Sequence, residues 1–248
     1  MAKSHYKLQD TLYQPKQSKL QKYKDLIVGS DKLSFLIKYE LINLFVSWLP
    51  GALGIVLRNK LYPAILAECG RGVNFGRNIV IRHPQKIKIG NDVNIDDNVL
   101  LDAKGDKNAG IILKDQVFIG RNSILSCKDG DITLEQNANI GFNCEIASTS
   151  KVVIGKDNLI AAYTYIMGGG NYKLDNLDLP FNQQYDYEGK GGVILHENVW
   201  LGAHVSILDG VTIESGSVVA TGAVVNKSIP KNCIAGGIPA KVFKNRGK

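Results

Sequence analysis

The chain has 248 residues, 44% of them hydrophobic and 21% charged, with a formal net charge of +7. That balance excludes a disordered chain and predicts a packed interior, as one large domain or two small ones. No apolar run opens MAKSHYKLQD, so no signal peptide is expected. Four dispersed cysteines (Cys69, Cys127, Cys144, Cys233) exclude a disulfide or zinc framework and read as reduced structural thiols of a cytoplasmic protein.

The basic excess gathers at the two ends. Lys3, Lys7, Lys16, Lys19, Lys22 and Lys24 face Asp10 alone in the first 24 residues, and Lys241, Lys244, Arg246 and Lys248 close the chain. Such clusters attract phosphate groups. Without a nucleic-acid module, or aromatics interleaved with the lysines, nucleic acid is not a predicted partner.

Residues 1–70 form a basic and apolar N-terminal unit. DKLSFLIKYELINLFVSWL (31–49) predicts one helix ended by Pro50-Gly51, with apolar residues all around its axis, so it must be buried in something. LINLFVSWLPGALGIVL (41–57) carries no charge, but Pro50, Gly51 and Gly54 interrupt it, which disfavours a membrane span. Two readings stay open for 31–62: contact with an anionic membrane surface, helped by Lys32, Lys38, Arg58 and Lys60, or a cap on the open end of the larger C-terminal part.

From residue 73 the sequence falls into hexads. A large apolar residue recurs at Phe75, Ile81, Ile89, Ile95, Leu101, Leu113, Ile119, Leu125, Leu134, Ile140, Ile146, Ile154, Ile160 and Ile166. It resumes at Leu195, Leu201, Ile207, Ile213, Val219 and Val225. Two places earlier stands a smaller or β-branched residue, as at Val93, Ala138, Cys144 and Val205, with Asn158 the awkward member. Alternate residues of a strand share a side, so these two positions share an interior. A six-residue edge cannot bury its own apolar side, so successive edges must stack into a solenoid. Small insertions follow residues 81, 125 and 146, and GDKNAG (105–110) interrupts once. One long loop, 168–192, carries Gly-rich ends and aromatics. Loops of that length are functional or disordered, and the aromatics favour one that docks on something.

Over residues 71–243 the sequence resembles the hexapeptide-repeat acyltransferase superfamily. VILHENVWLGAHVSILDGVTIESGSVVATGAVVNKSIPKNCIAGGIPAKVFK (193–244) is similar to the C-terminal signature of its sugar and antibiotic O-acetyltransferase branch. The resemblance implies an all-β solenoid, a left-handed parallel β-helix over 71–230 preceded by the N-terminal helical segment, with 231–248 as a basic tail. It also implies a homotrimer that uses acetyl-CoA and no metal, with a saccharide or lipid-linked saccharide as acceptor. An anionic membrane surface on the cytoplasmic side is a further partner to test.

Transfer of an acetyl group from a thioester to a hydroxyl needs a base for the hydroxyl proton, and histidine suits that near neutral pH. Resembling enzymes keep a histidine at the start of the long loop. This chain reads GGGNYKL (168–174), with Tyr172 at that position, and its only histidines are His5, His83, His196 and His204. An unperturbed phenol, with a pKa of about 10, is a poor base at neutral pH. Three explanations are open: Tyr172 participates, another histidine such as His204 substitutes, or the chain is a non-catalytic trimeric scaffold or membrane-binding module. Asn143 and Glu145, in GFNCEIAS, hold positions that can face the acceptor. For CoA, the resemblance implies Trp200, Ala203 and Thr221 along the pantetheine groove. Asn226 and Lys227 fall beside the coil end, and Lys241 and Lys244 near the nucleotide phosphates.

Overall fold

A computed structural model describes residues 12, 16–170, 172, 174–175, 177–184 and 189–247. Lys3, Lys7, His5 and Lys248 lie outside them. The hexads fold as their period predicts, into three sheets, parallel throughout except for the last strand of one, that form the faces of a triangular, left-handed β-helix. The first face runs from Glu68–Cys69 to Thr212–Ile213, and the third from Val80–Arg82 to Val224–Val225. The second runs from Asn74–Phe75 to Lys241–Asn245. The left hand departs from the usual right-handed crossover rule.

The period of six maps directly onto the interior. All twenty large apolar positions are at most 3% exposed. Asn158, the awkward member, is also buried; its Oδ1 accepts the Val199 amide at 2.5 Å, giving it a hydrogen bond inside the stack. Corners need a residue with left-handed backbone, and the chain supplies asparagine and aspartate at most of them, whose short polar side chains tolerate that conformation. Where coils approach closest, only glycine fits: a Cβ on Gly141 would stand 2.8 Å from the Ala162 nitrogen.

The N-terminal unit differs from its expected form. A short helix α1 (Lys19–Tyr23) continues as a π-turn over Lys24–Val28; α2 covers Leu33–Phe45 and α3 covers Gly51–Leu61. The single helix expected over 31–49 therefore stops at Phe45, and Pro50 caps the next one. Burial is one-sided: Leu36, Tyr39, Ile42 and Val46 are covered and Phe35 is half-buried, while Leu33, Ile37, Leu41, Leu44 and Phe45 are exposed. The unit closes the first coil. Tyr39 donates its hydroxyl to the Ile81 carbonyl at 2.7 Å, Tyr62 meets Phe75 edge-on at 5.1 Å, and buried Arg58 donates from Nε to the Phe75 carbonyl at 2.9 Å. No helix among the described residues is long and apolar enough to cross a membrane.

At the other end the strand ladder runs on into the expected tail. Cys233–Gly236 pairs in parallel with Val218–Val219, and Lys241–Asn245 folds back antiparallel upon it.

Candidate functional site

The predicted residues fall on two corners and the faces beside them. At the corner between the second and third faces, one left-handed residue per coil forms a column. Its lower part is an asparagine ladder: Asn78 donates to Asn98 at 3.3 Å and Asn98 to Asn122 at 3.2 Å, with Asn143 next in the row. Above Asn143 the residue type changes to Tyr163 and then His204, whose rings lie parallel, 4.8 Å apart and 1° from coplanar orientation. Phe142 meets Tyr163 at 5.7 Å edge-on, and the Arg121 guanidinium sits 5.0 Å above the Phe142 ring. Ala203 and Thr221 occupy this corner as well, joined by the Gly222 amide donating to the Ala203 carbonyl at 2.9 Å. Of the residues gathered at this corner, the sequence singles out His204, Ala203 and Thr221 but not Tyr163, Phe142 or Arg121. The signal was there: a bulky ring in AAYTY where earlier corners carry asparagine.

The second face continues from this corner. Phe118, Asn139, Leu159, Trp200, Val218, Ile234 and Lys244 succeed one another in register along its outer side. Lys241 and Lys244 are three residues apart and would point to opposite sides of a regular strand. A bulge at Phe243 shifts the register, so Lys244 pairs with Ile234 and Lys241 with Gly236, and both lysines share the outer side. Trp200, 52% exposed, and the two lysines thus stand on one surface.

On the third face Glu145 is exposed and pairs with Tyr165, whose phenol is pushed upward by burial and then by the Glu145 carboxylate. The long loop leaves from the far edge of this face, at the corner between the third and first faces. Tyr172 is half-exposed there, its ring 5.9 Å from that of Phe181. Asp209, a residue sequence reasoning passed over, ties down the end of the loop by accepting the Lys190 and Gly192 amides at 2.7 and 2.8 Å. Asn226 and Lys227 lie exposed on the same corner, just past Val224–Val225. The third face therefore separates Tyr172, Asn226 and Lys227 from His204, Ala203 and Thr221.

His196 lies elsewhere, with Nε2 3.7 Å from the Glu214 carboxylate, and His83 is buried at the first coil. Among the described residues no group of three or more histidine, cysteine or acidic side chains could hold a metal ion. A cavity of about 700 Å³ opens between α3 and the first coils, beside Ile55, Asn94 and Phe118, and none of the predicted site residues lines it.

Fold and repeat define a parallel β-helix built from hexads, and residues 192–227 match the family described as bacterial transferase hexapeptide (six repeats). More particularly, the chain is similar to bacterial O-acetyltransferases. It is 36% identical over 120 residues to the putative lipopolysaccharide biosynthesis O-acetyl transferase WbbJ of Escherichia coli, covering 46% of this chain and 61% of that one. It is 31% identical over 114 residues to galactoside O-acetyltransferase of the same organism, covering 46% and 54%. The chain thus spans between half and two thirds of the length of these curated relatives. Among solved structures, a mutant of AntD, an N-acyltransferase from Bacillus cereus in complex with dTDP and coenzyme A, shares the fold. The TM-score is 0.54 at 22% identity, over 82% of this chain and 93% of that one.

Proposed function

We propose that this chain is an acetyl-CoA-dependent acyltransferase that acetylates a saccharide hydroxyl, working as a homotrimer. The observation that carries the reading is the C-terminal coils. There the matched repeats carry a flat apolar wall at Trp200 and small residues at Ala203 and Thr221, and the last strand adds two outward lysines on the adjoining surface. A pantetheine arm needs close approach along small residues, and its phosphates need cations. Charge-assisted contacts from Lys241 and Lys244 would contribute roughly 1.5–3 kcal/mol each. Exposed Val242, Phe243 and Ile238 on the last hairpin favour cover by a second copy.

In a trimer the two corners of different protomers form the walls of one cleft. One wall offers His204, with Asn143 and Glu145 toward the acceptor; the other offers Tyr172, Asn226 and Lys227. The acceptor oxygen attacks the thioester carbonyl carbon as its proton passes to His204; the carbon–sulfur bond then breaks, and His204 returns that proton to the sulfur, so that CoA leaves as the thiol. Thiol release from acetyl-CoA with a panel of saccharides tests this. His204→Ala should lower the rate by about 10²- to 10⁴-fold and Tyr172→Phe far less. No CoA binding at millimolar concentration, with no thiol release, would remove the reading.

A second feature favours work on a lipid-linked acceptor at the cytoplasmic face of an anionic membrane. Leu33, Ile37, Leu41, Leu44 and Trp48 keep helical spacing and are all more than half exposed. Leu33, Ile37, Leu41 and Leu44 lie on the side of α2 opposite Leu36, Tyr39 and Ile42, Trp48 follows in the turn after it, and Lys32, Lys38 and Lys60 are nearby in the chain. An outward apolar stripe with basic neighbours suits the interface of an acidic bilayer. Co-sedimentation with phosphatidylserine-containing vesicles checks it. An Ile37→Ser/Leu44→Ser chain that binds as well as the unaltered one ends the proposal.

A further inference from the structure

We infer that Tyr163 is the positioning residue that fixes the orientation of the His204 imidazole. The inference rests on the reading of His204 as proton acceptor. A histidine acting as base has to be held in one orientation, commonly by a hydrogen bond from its second ring nitrogen to a carboxylate or carbonyl. Neither nitrogen of His204 has such a partner among the described residues. What the imidazole does have is the Tyr163 ring, parallel within 1° at 4.8 Å.

On the side away from Tyr163 the column offers no side chain to cover the imidazole. The next corner residue in the column is Gly222, and a Cβ built there would meet nothing within 4 Å. Tyr163 in turn is held from below by the edge contact with Phe142, itself covered by Arg121. The stack therefore begins on a cation and ends on the candidate base.

Backbone conformation gives a second, independent reason. Tyr163 has a φ of 60°, where asparagine is comfortable and a bulky ring is uncommon. Asn78, Asn98, Asn122 and Asn143 fill the equivalent corners at similar angles. A tyrosine kept in this conformation, against the residue type of four preceding coils, marks a local demand other than folding.

The ladder itself supplies the test. Tyr163→Asn installs the residue the other corners use, and Tyr163→Phe keeps the ring without its hydroxyl. The His204 imidazole signals, assigned by their loss in His204→Ala, report stacking by NMR without any need for turnover. We expect Tyr163→Phe to keep the ring-current shift and the kcat. Tyr163→Asn should lose the shift and about ten- to a hundredfold of kcat, with KM for acetyl-CoA and the Tm unchanged. A Tyr163→Asn chain with unaltered His204 signals overturns the inference, as does a kcat loss matched by a fall in Tm. Absence of thiol release by the unsubstituted chain would instead strike the acyltransferase reading, leaving the NMR result to decide the stack.

Discussion

Leucine and isoleucine stand in opposite situations in the solenoid and in the N-terminal helices. Ile140, at an inward hexad position, is 0% exposed, while Ile37 on α2 is 51% exposed. The solenoid completes itself, because each coil covers the apolar side of the one before it. The helices complete only the first coil, by turning one side of α2 inward, and leave an equally apolar side uncovered. Apolar content alone therefore says that a segment needs a partner. Whether the partner is in the same chain depends on whether the fold supplies a second surface.

The sharpest way to break that contrast is at the interior. Ile140→Ala removes three carbons from a site walled by the coils above and below, where strand pairing leaves little room to collapse. It should cost about 2–5 kcal/mol, read as a lower urea midpoint. A cost below about 1 kcal/mol would mean that the coils close over the gap and that the interior is less rigid than its packing indicates.

The interior is legible in the sequence because a period of six, repeated along most of the chain, has one geometric solution. The corners are legible only in part. His204, Ala203 and Thr221 can be placed in order along the chain, but a hexad does not reveal that His204 and Tyr172 lie on different corners of the β-helix. Lys241 and Lys244 look like a tail; their common side depends on the bulge at Phe243, which the residue pattern does not announce. The first of the two long N-terminal helices reads four residues too far because nothing in the pattern breaks 31–49 before Pro50. The chain turns earlier, after Phe45, where Ser47 and Trp48 bond back to the carbonyls of Asn43 and Leu44 at 2.7 Å.

A smaller effect is expected where the two regions join. His83 is buried between the π-turn and the first coil, its Nε2 3.0 Å from the Asp25 carbonyl and its Nδ1 3.9 Å from the Asp102 carboxylate. Burial holds the imidazole below its usual value, outweighing both the Asp25 hydrogen bond and the Asp102 charge. The unfolded chain then takes up a proton at about pH 6.5 while the folded chain does not. Stability should fall as the pH drops from there toward the folded value. Unfolding free energies measured between about pH 7.5 and about pH 5 should decline for the unaltered chain and less steeply for His83→Gln. Equal slopes would show that the join tolerates a charged imidazole.

The smallest effect on stability belongs to the stripe on α2. Ile37→Ser and Leu44→Ser replace side chains already in water, with no cavity left behind and no partner lost. Each should change the unfolding free energy by less than about 0.5 kcal/mol. The same pair is expected to abolish vesicle binding, whereas Ile140→Ala should leave it intact at temperatures where that chain is folded. A stripe substitution that destabilises by as much as an interior one would show that α2 is covered within the protein's own assembly, most simply by a neighbouring copy, and the bilayer would no longer be needed to explain its apolar side.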